Sequence, residues 1–267
     1  MDAGDERMTD EAVEIPVTEV AEPRHDRHAD RPLVGGRIDT WRHPLTERLT
    51  HWLNVLAMTI LVMSGINILM AHPHLYWGIR STFADPWMSF PMAPDWLMVP
   101  MRRDLGAARG WHFLFAWIFV INGLIYLAFI TISGRLRRMM EPTRADLADI
   151  PHSIVEHAQL KFPKGEEARR YNVLQKLTYL LVLLVLLPMM LATGLAMSPT
   201  MNAVLPELLW LLGGRQSART LHFLAATGLV GFVVVHVVLV FVAGFTNNMR
   251  SMITGWFVIE PEKEDAQ

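Results

Sequence analysis

Four histidines lie within or at the edges of long apolar stretches, a costly place for a side chain that can ionise or ligate. They are His51, His112, His222 and His236. The last two are separated by 14 residues, close to four helical turns, so a helix carries them on one face about 21 Å apart along its axis. Neutral imidazole is a strong ligand for a transition metal. Imidazoles facing each other from neighbouring helices in an apolar bundle suit axial ligation of haem iron. The absence of cysteine excludes thiolate-held iron–sulfur clusters, Cys-based zinc sites, disulfides and thioether attachment of haem through C-x-x-C-H. Any redox cofactor must therefore be held noncovalently.

The elements that position these histidines follow from composition. The chain of 267 residues is 52% hydrophobic and only 19% charged, too apolar for an average soluble domain. Four stretches reach the roughly 20 residues that a helix needs to cross a bilayer. They run approximately over Leu49 to Met70, Trp111 to Ile132, Leu177 to Met197 and Leu221 to Phe245. The first begins behind a polar segment, unlike a cleaved signal peptide. The expected fold is an all-α integral membrane four-helix bundle over residues 38–261. A polar, disordered tail over 1–37 and a short polar tail over 262–267 flank it.

Orientation comes from the basic residues. Arg135, Arg137, Arg138, Arg144, Lys161, Lys164, Arg169 and Arg170 lie between spans two and three, and Arg37, Arg42 and Arg48 precede span one. By the positive-inside rule these regions are cytoplasmic, which leaves both termini on that side. Span one then runs outward and span four inward. His51 and His236 share the inner level, and His112 and His222 the outer one. The expected pairs are His112 with His222 and His51 with His236.

Other residues have weaker claims. Arg109 and Arg219 lie three residues from His112 and His222, and Arg48 three residues from His51, so each is a candidate cation for a haem propionate or a snorkelling boundary residue. Gly65, Gly123, Gly194, Gly228 and Gly231 offer room for a flat macrocycle, or serve helix contact. His43, His72 and His74 are boundary residues and rival ligands, whereas His152 and His157 sit in the cytoplasmic loop and His25 and His28 in the tail. Asn54, Asn172, Gln175 and Lys176 stand at the inner level, as polar residues of helix ends or as proton-exchanging groups beside the inner pair. The loop from Ala71 to Arg109 carries Tyr76, Trp77, Phe83, Trp87, Phe90 and Trp96 and is read as a cap on the outer face. It serves either as a docking surface or as an interfacial aromatic belt.

The segment His43-Pro44-Leu45-Thr46-Glu47-Arg48-Leu49-Thr50-His51-Trp52-Leu53-Asn54, followed by Ser64-Gly65, resembles the first span of the bacterial di-haem cytochrome b subunits of membrane oxidoreductases. These include the gamma subunit of formate dehydrogenase, the cytochrome b subunits of nickel–iron hydrogenase and thiosulfate reductase, and the prokaryotic cytochrome b561 group. Gly213 to His222, with His236 beyond, is similar to their last ligand-bearing span. The resemblance implies two b haems held by His51, His112, His222 and His236. It also implies exchange with quinone near the inner haem, and a redox partner outside the cytoplasm, often a molybdopterin oxidoreductase. The expected function is that of an electron-transfer subunit of the bacterial inner membrane rather than an enzyme on its own, with no nucleic-acid partner. Two alternatives stay open: a stand-alone quinol-linked oxidase or reductase with the same haems, and a haem-free anchor or transporter.

Overall fold

A computed structural model describes residues 29–82, 84–136 and 173–259. His25, His28, His152, His157, Phe83, Asn172 and most of the basic loop between spans two and three lie outside the described residues. So do the C-terminal residues from 260 onward.

Four helices are long and apolar enough to cross a membrane: α1 (Leu45–Met70), α2 (Leu105–Ile132), α3 (Val173–Met197) and α6 (Arg215–Val242). Between α3 and α6 lie two short helices, α4 (Pro199–Val204) and α5 (Pro206–Leu211). Each long helix begins ahead of its apolar stretch, α1 at Leu45, α2 at Leu105, α3 at Val173 and α6 at Arg215. Helix α1 takes in Thr46, Glu47 and Arg48 ahead of Leu49. Helix α2 begins at Asp104, whose carboxylate accepts from the Ala107 N–H at 2.9 Å and caps the first turn. Helix α6 ends sooner than the hydropathy suggests. Its apolar sequence continues to Phe245, but Gly244 takes a φ of 105° and turns the chain into a separate helix, α7 (Phe245–Thr254).

Helix α3 is wound as a π-turn over Val182–Leu186, immediately before Pro188. Proline lacks the N–H that would bond four residues back, and the wider turn accommodates that loss. The widened turn puts Leu186 against Gly228 of α6, where a Cβ would come within 3.3 Å of its side chain.

Helix α1 packs chiefly on α2, and α3 on α6. Their remaining faces are rich in exposed Leu, Val and Phe, among them Leu56, Leu114, Leu184 and Val234, which suits contact with lipid tails rather than water.

Both ends of the bundle are closed by irregular structure. At one end, β1 (Arg31–Pro32), β2 (Ile38–Trp41) and β5 (Trp256–Ile259) form a three-stranded antiparallel sheet. Strand β1 falls inside the segment expected to be a polar tail up to Arg37, where it pairs with β2, which in turn pairs with the distant β5. Arg250 on α7 makes a two-pronged ion pair with Asp39 at 2.9 and 2.8 Å, which raises the arginine pKa further. Trp52 Nε1 donates to the Met252 carbonyl at 3.1 Å.

At the other end, residues 71–82 and 84–104 lie over the helix tops, and the rest of the loop expected to run to Arg109 belongs to α2. Strands β3 (His74–Leu75) and β4 (Met88–Ser89) form a small hairpin, with Leu75, Tyr76 and Met98 buried. Asn67 Nδ2 holds the returning strand by donating to the carbonyls of Pro100 and Arg102 at 3.2 and 2.8 Å. The Gly78 carbonyl accepts from the N–H groups of Gln216 and Ser217 at the start of α6, at 3.0 and 3.2 Å, and so docks the cap on that helix.

A candidate haem-binding bundle

Helix α6 is the axis of the site. It carries His222 near the cap and His236 four turns toward the β-sheet, and each imidazole meets one from another helix. His222 faces His112 of α2 with ring centroids 6.3 Å apart and planes inclined at 61°. His236 faces His51 of α1 with the same separation, 6.3 Å, and the same inclination, 61°.

That separation can be tested against a cofactor. A metal between two imidazoles, with metal–nitrogen bonds of about 2 Å and each ring centre about 1.1 Å behind its nitrogen, sets the centroids about 6 Å apart. Both pairs meet this requirement, and rings in direct hydrogen-bonded contact would stand closer. The surroundings fit as well. Gly65 of α1 lies beneath His112, where a Cβ would come 3.4 Å from Cε1. Gly194 of α3 stands in the same relation to His222 at 3.5 Å. Glycine at each point lets a helix backbone approach the ligand ring.

The two levels differ in how the rings are held. His112 Nδ1 lies 3.0 Å from Ser64 Oγ, and His222 Nδ1 lies 2.9 Å from Thr193 Oγ1. At the other level the contacts are aromatic: Phe232 stacks on His236 at 6.0 Å and Trp52 meets His51 edge-on at 5.4 Å. Among the described residues, no hydrogen bond reaches the rings of His51 or His236.

The three candidate arginines are placed differently from one another. Arg219 points into the cap, where it donates to the carbonyls of His74, at 3.1 Å, and His72. Arg48 donates to the Ile253 carbonyl, and Arg109 is exposed, 5.7 Å from the centre of the Phe113 ring. His72 stacks on Tyr76 at 5.8 Å. Burial, then the charges of Arg219 and His74, hold its pKa below the ordinary imidazole value.

Two polar features escaped sequence reasoning. Asn122, buried in α2, donates to the Thr50 carbonyl at 2.8 Å and to Asn54 Oδ1 at 2.7 Å, so Asn54 is engaged between helices. Glu47 accepts from Arg135 at 2.6 Å and lies 3.2 Å from His43 Nδ1, tying the start of α1 to the end of α2. An asparagine inside an apolar span is a visible signal for the first. The second depends on a contact across 88 residues and leaves no local trace.

Comparison with known proteins decides the family. The profile described as prokaryotic cytochrome b561 matches residues 42–255. The chain belongs to the prokaryotic cytochrome b561 family. A relative from Azospira oryzae, which carries the provisional name protein-methionine-sulfoxide reductase subunit YedZ1, is 36% identical over 218 residues. The alignment takes in 80% of this chain and 96% of the relative. No solved structure matches. This cytochrome b561 is a multi-pass protein of the bacterial inner membrane, a haem-binding electron-transfer subunit whose family implies haem b.

Proposed function

We propose that this cytochrome b561 carries electrons between the quinone pool and a redox subunit on the extracytoplasmic side. Two b haems would be held, one between His112 and His222 and one between His51 and His236. The observation that carries this reading is the repetition of one ring geometry, 6.3 Å and 61°, at two depths of the same helix. A fortuitous histidine contact has no reason to recur with both parameters unchanged. Each bound haem supplies a reversible one-electron couple.

The chain's own residues supply position and access. The imidazoles fix the two levels about 21 Å apart along α6, on the scale of the roughly 30 Å hydrocarbon core. Arg219 and Arg109 at the outer level, and Arg48 at the inner one, are the cations we assign to the propionates, with Arg219 and Arg48 also donating to backbone carbonyls. At the inner level Asn54 of α1 and Gln175 and Lys176 of α3 are the polar groups we assign to the surroundings of a quinone headgroup. Both termini face the cytoplasm, in keeping with the basic residues around spans one to three.

The partner is a molybdopterin oxidoreductase seated on the cap, a reading supported by the family resemblance and by the relative's name as a reductase subunit. On the cap, Trp77, Trp87, Arg80 and Asp85 line a 340 Å³ hollow, an aromatic and charged surface on the proposed docking side. The test is to add a reduced quinone analogue to membranes containing the chain and follow the haem absorption bands. Reduction of b haem in the wild type, and its loss in His51→Ala and His236→Ala, is expected. Haem that dithionite reduces but quinol does not would overturn the quinone link.

A further inference from the structure

The hydroxyls of Ser64 and Thr193 occupy matching positions in two different helix pairs. Ser64 on α1 precedes Gly65 and faces His112 on α2, and Thr193 on α3 precedes Gly194 and faces His222 on α6. The same small unit, a hydroxyl followed by glycine, therefore sits beneath each imidazole of the outer pair. The inner pair has no counterpart among the described residues.

The donors and acceptors fix the direction of these bonds. A hydroxyl has one proton, and Ser64 Oγ lies 2.6 Å from the Ile60 carbonyl, which can only accept. Thr193 Oγ1 lies 2.5 Å from the Met189 carbonyl in the same way. Each hydroxyl proton is thus directed four residues back, and a lone pair of the oxygen faces the imidazole. The carbonyls of Leu61 and Met190 lie 3.2 and 3.3 Å from the same two hydroxyls and likewise can only accept. The ring nitrogen on that side must therefore carry the proton. Nδ1–H is the donor, and Nε2 is left with its lone pair toward the opposing helix.

Resting on the two-haem reading, we infer that Ser64 and Thr193 are positioning residues that lock His112 and His222 in the Nε2-ligating tautomer and lower the potential of the outer haem selectively. A hydrogen bond from the distal ring N–H raises the basicity of the ligating nitrogen, which stabilises the oxidised metal more than the reduced one. Two such bonds act on the outer haem and none on the inner one, so the pairs share a geometry and differ in electronic tuning. Glycine after each hydroxyl leaves the ring close to the helix backbone: a Cβ at Gly65 or Gly194 would stand 3.4 to 3.5 Å from Cε1, in van der Waals contact.

The test is a spectroelectrochemical titration of the full chain in detergent, with Ser64→Ala, Thr193→Val, the double variant, and the hydroxyl-retaining Ser64→Thr and Thr193→Ser. The expected result is an upward shift in one of two midpoint potentials, additive in the double variant and absent in both hydroxyl-retaining forms. The shifted component should be the one that His112→Ala removes. If Ser64→Ala or Thr193→Val instead loses the outer haem, its retention in the hydroxyl-retaining form supports the inference. The affinity loss expected is then roughly 10- to 100-fold, as for other partners of ligating histidines. Unmoved potentials with both haems bound, a shift in the component that His51→Ala removes, or equal haem loss with and without the hydroxyl would overturn it. Wild-type chain that binds fewer than two haems would instead overturn the two-haem reading on which it rests.

Discussion

Asn122 shows what a single polar side chain does in this bundle. Its amide reaches the Thr50 backbone and the Asn54 side chain from inside α2, and in lipid neither group has water as an alternative partner. Hydrogen bonds between membrane helices contribute about 0.6 kcal/mol on average and up to about 1.7. Asn122→Leu is expected to weaken the α1–α2 contact by roughly 1 kcal/mol, measured as the shift in denaturant midpoint of the detergent-solubilised holoprotein. An unchanged midpoint would show that Asn54 and Thr50 find other partners. Gly255 is a backbone case. Its φ is 93°, and a Cβ would lie 2.5 Å from the Trp41 ring, so Gly255→Ala is expected to cost about 1–3 kcal/mol and to loosen the β2–β5 sheet. Residues of this kind differ in how visible they are from sequence. A histidine in an apolar span stands out because it is costly there, and the 14-residue spacing of His222 and His236 gives their common face directly. Ser64 and Thr193 do not stand out, since a hydroxyl in a helix ordinarily bonds its own i−4 carbonyl, as both do here. Only the facing helix reveals the second bond.

At the scale of elements, the spans were legible because apolar length is a coarse quantity. Their ends were less so, because polar first turns and glycine stops are decided by local backbone chemistry. Helix α2 illustrates this with a testable pH dependence. The Ala107 N–H, then the Arg102 guanidinium, hold the Asp104 carboxyl below its ordinary pKa. A carboxyl depressed on folding stabilises its cap fully above its unfolded pKa, and that contribution fades as pH falls through the lower folded value. Hydrogen-exchange protection of the first turn of α2 should therefore be constant above pH about 4 and decline below it. In Asp104→Asn the decline should disappear, and a decline that persists would place the titrating group elsewhere. The π-turn of α3 was also illegible, although Pro188 marks its place: proline signals a disturbance without saying whether the helix kinks, breaks or widens.

For the whole molecule, the sheet formed by β1, β2 and β5 brings the segments before span one and after span four to the same end of the bundle. Nothing local announces that pairing, because its register joins residues more than 200 positions apart. With the basic residues at that end, a fluorescent protein fused after Gln267 should fold and emit in the cytoplasm, and a phosphatase fused there should be inactive. The reverse would invert the bundle and exchange the inner and outer levels. The two-level arrangement itself was readable because depth in a membrane is a single coordinate that sequence position tracks along each helix. Cofactor number is the point on which everything else turns. The most direct measurement is a pyridine haemochrome count on the purified chain, repeated for His→Ala at 51, 112, 222 and 236. Two b haems per wild-type chain are expected. Each single substitution should leave one, with His112→Ala and His222→Ala removing one spectral component and His51→Ala and His236→Ala the other. A well-folded chain with no haem, or one haem lost only on substitution of a single pair, would contradict it.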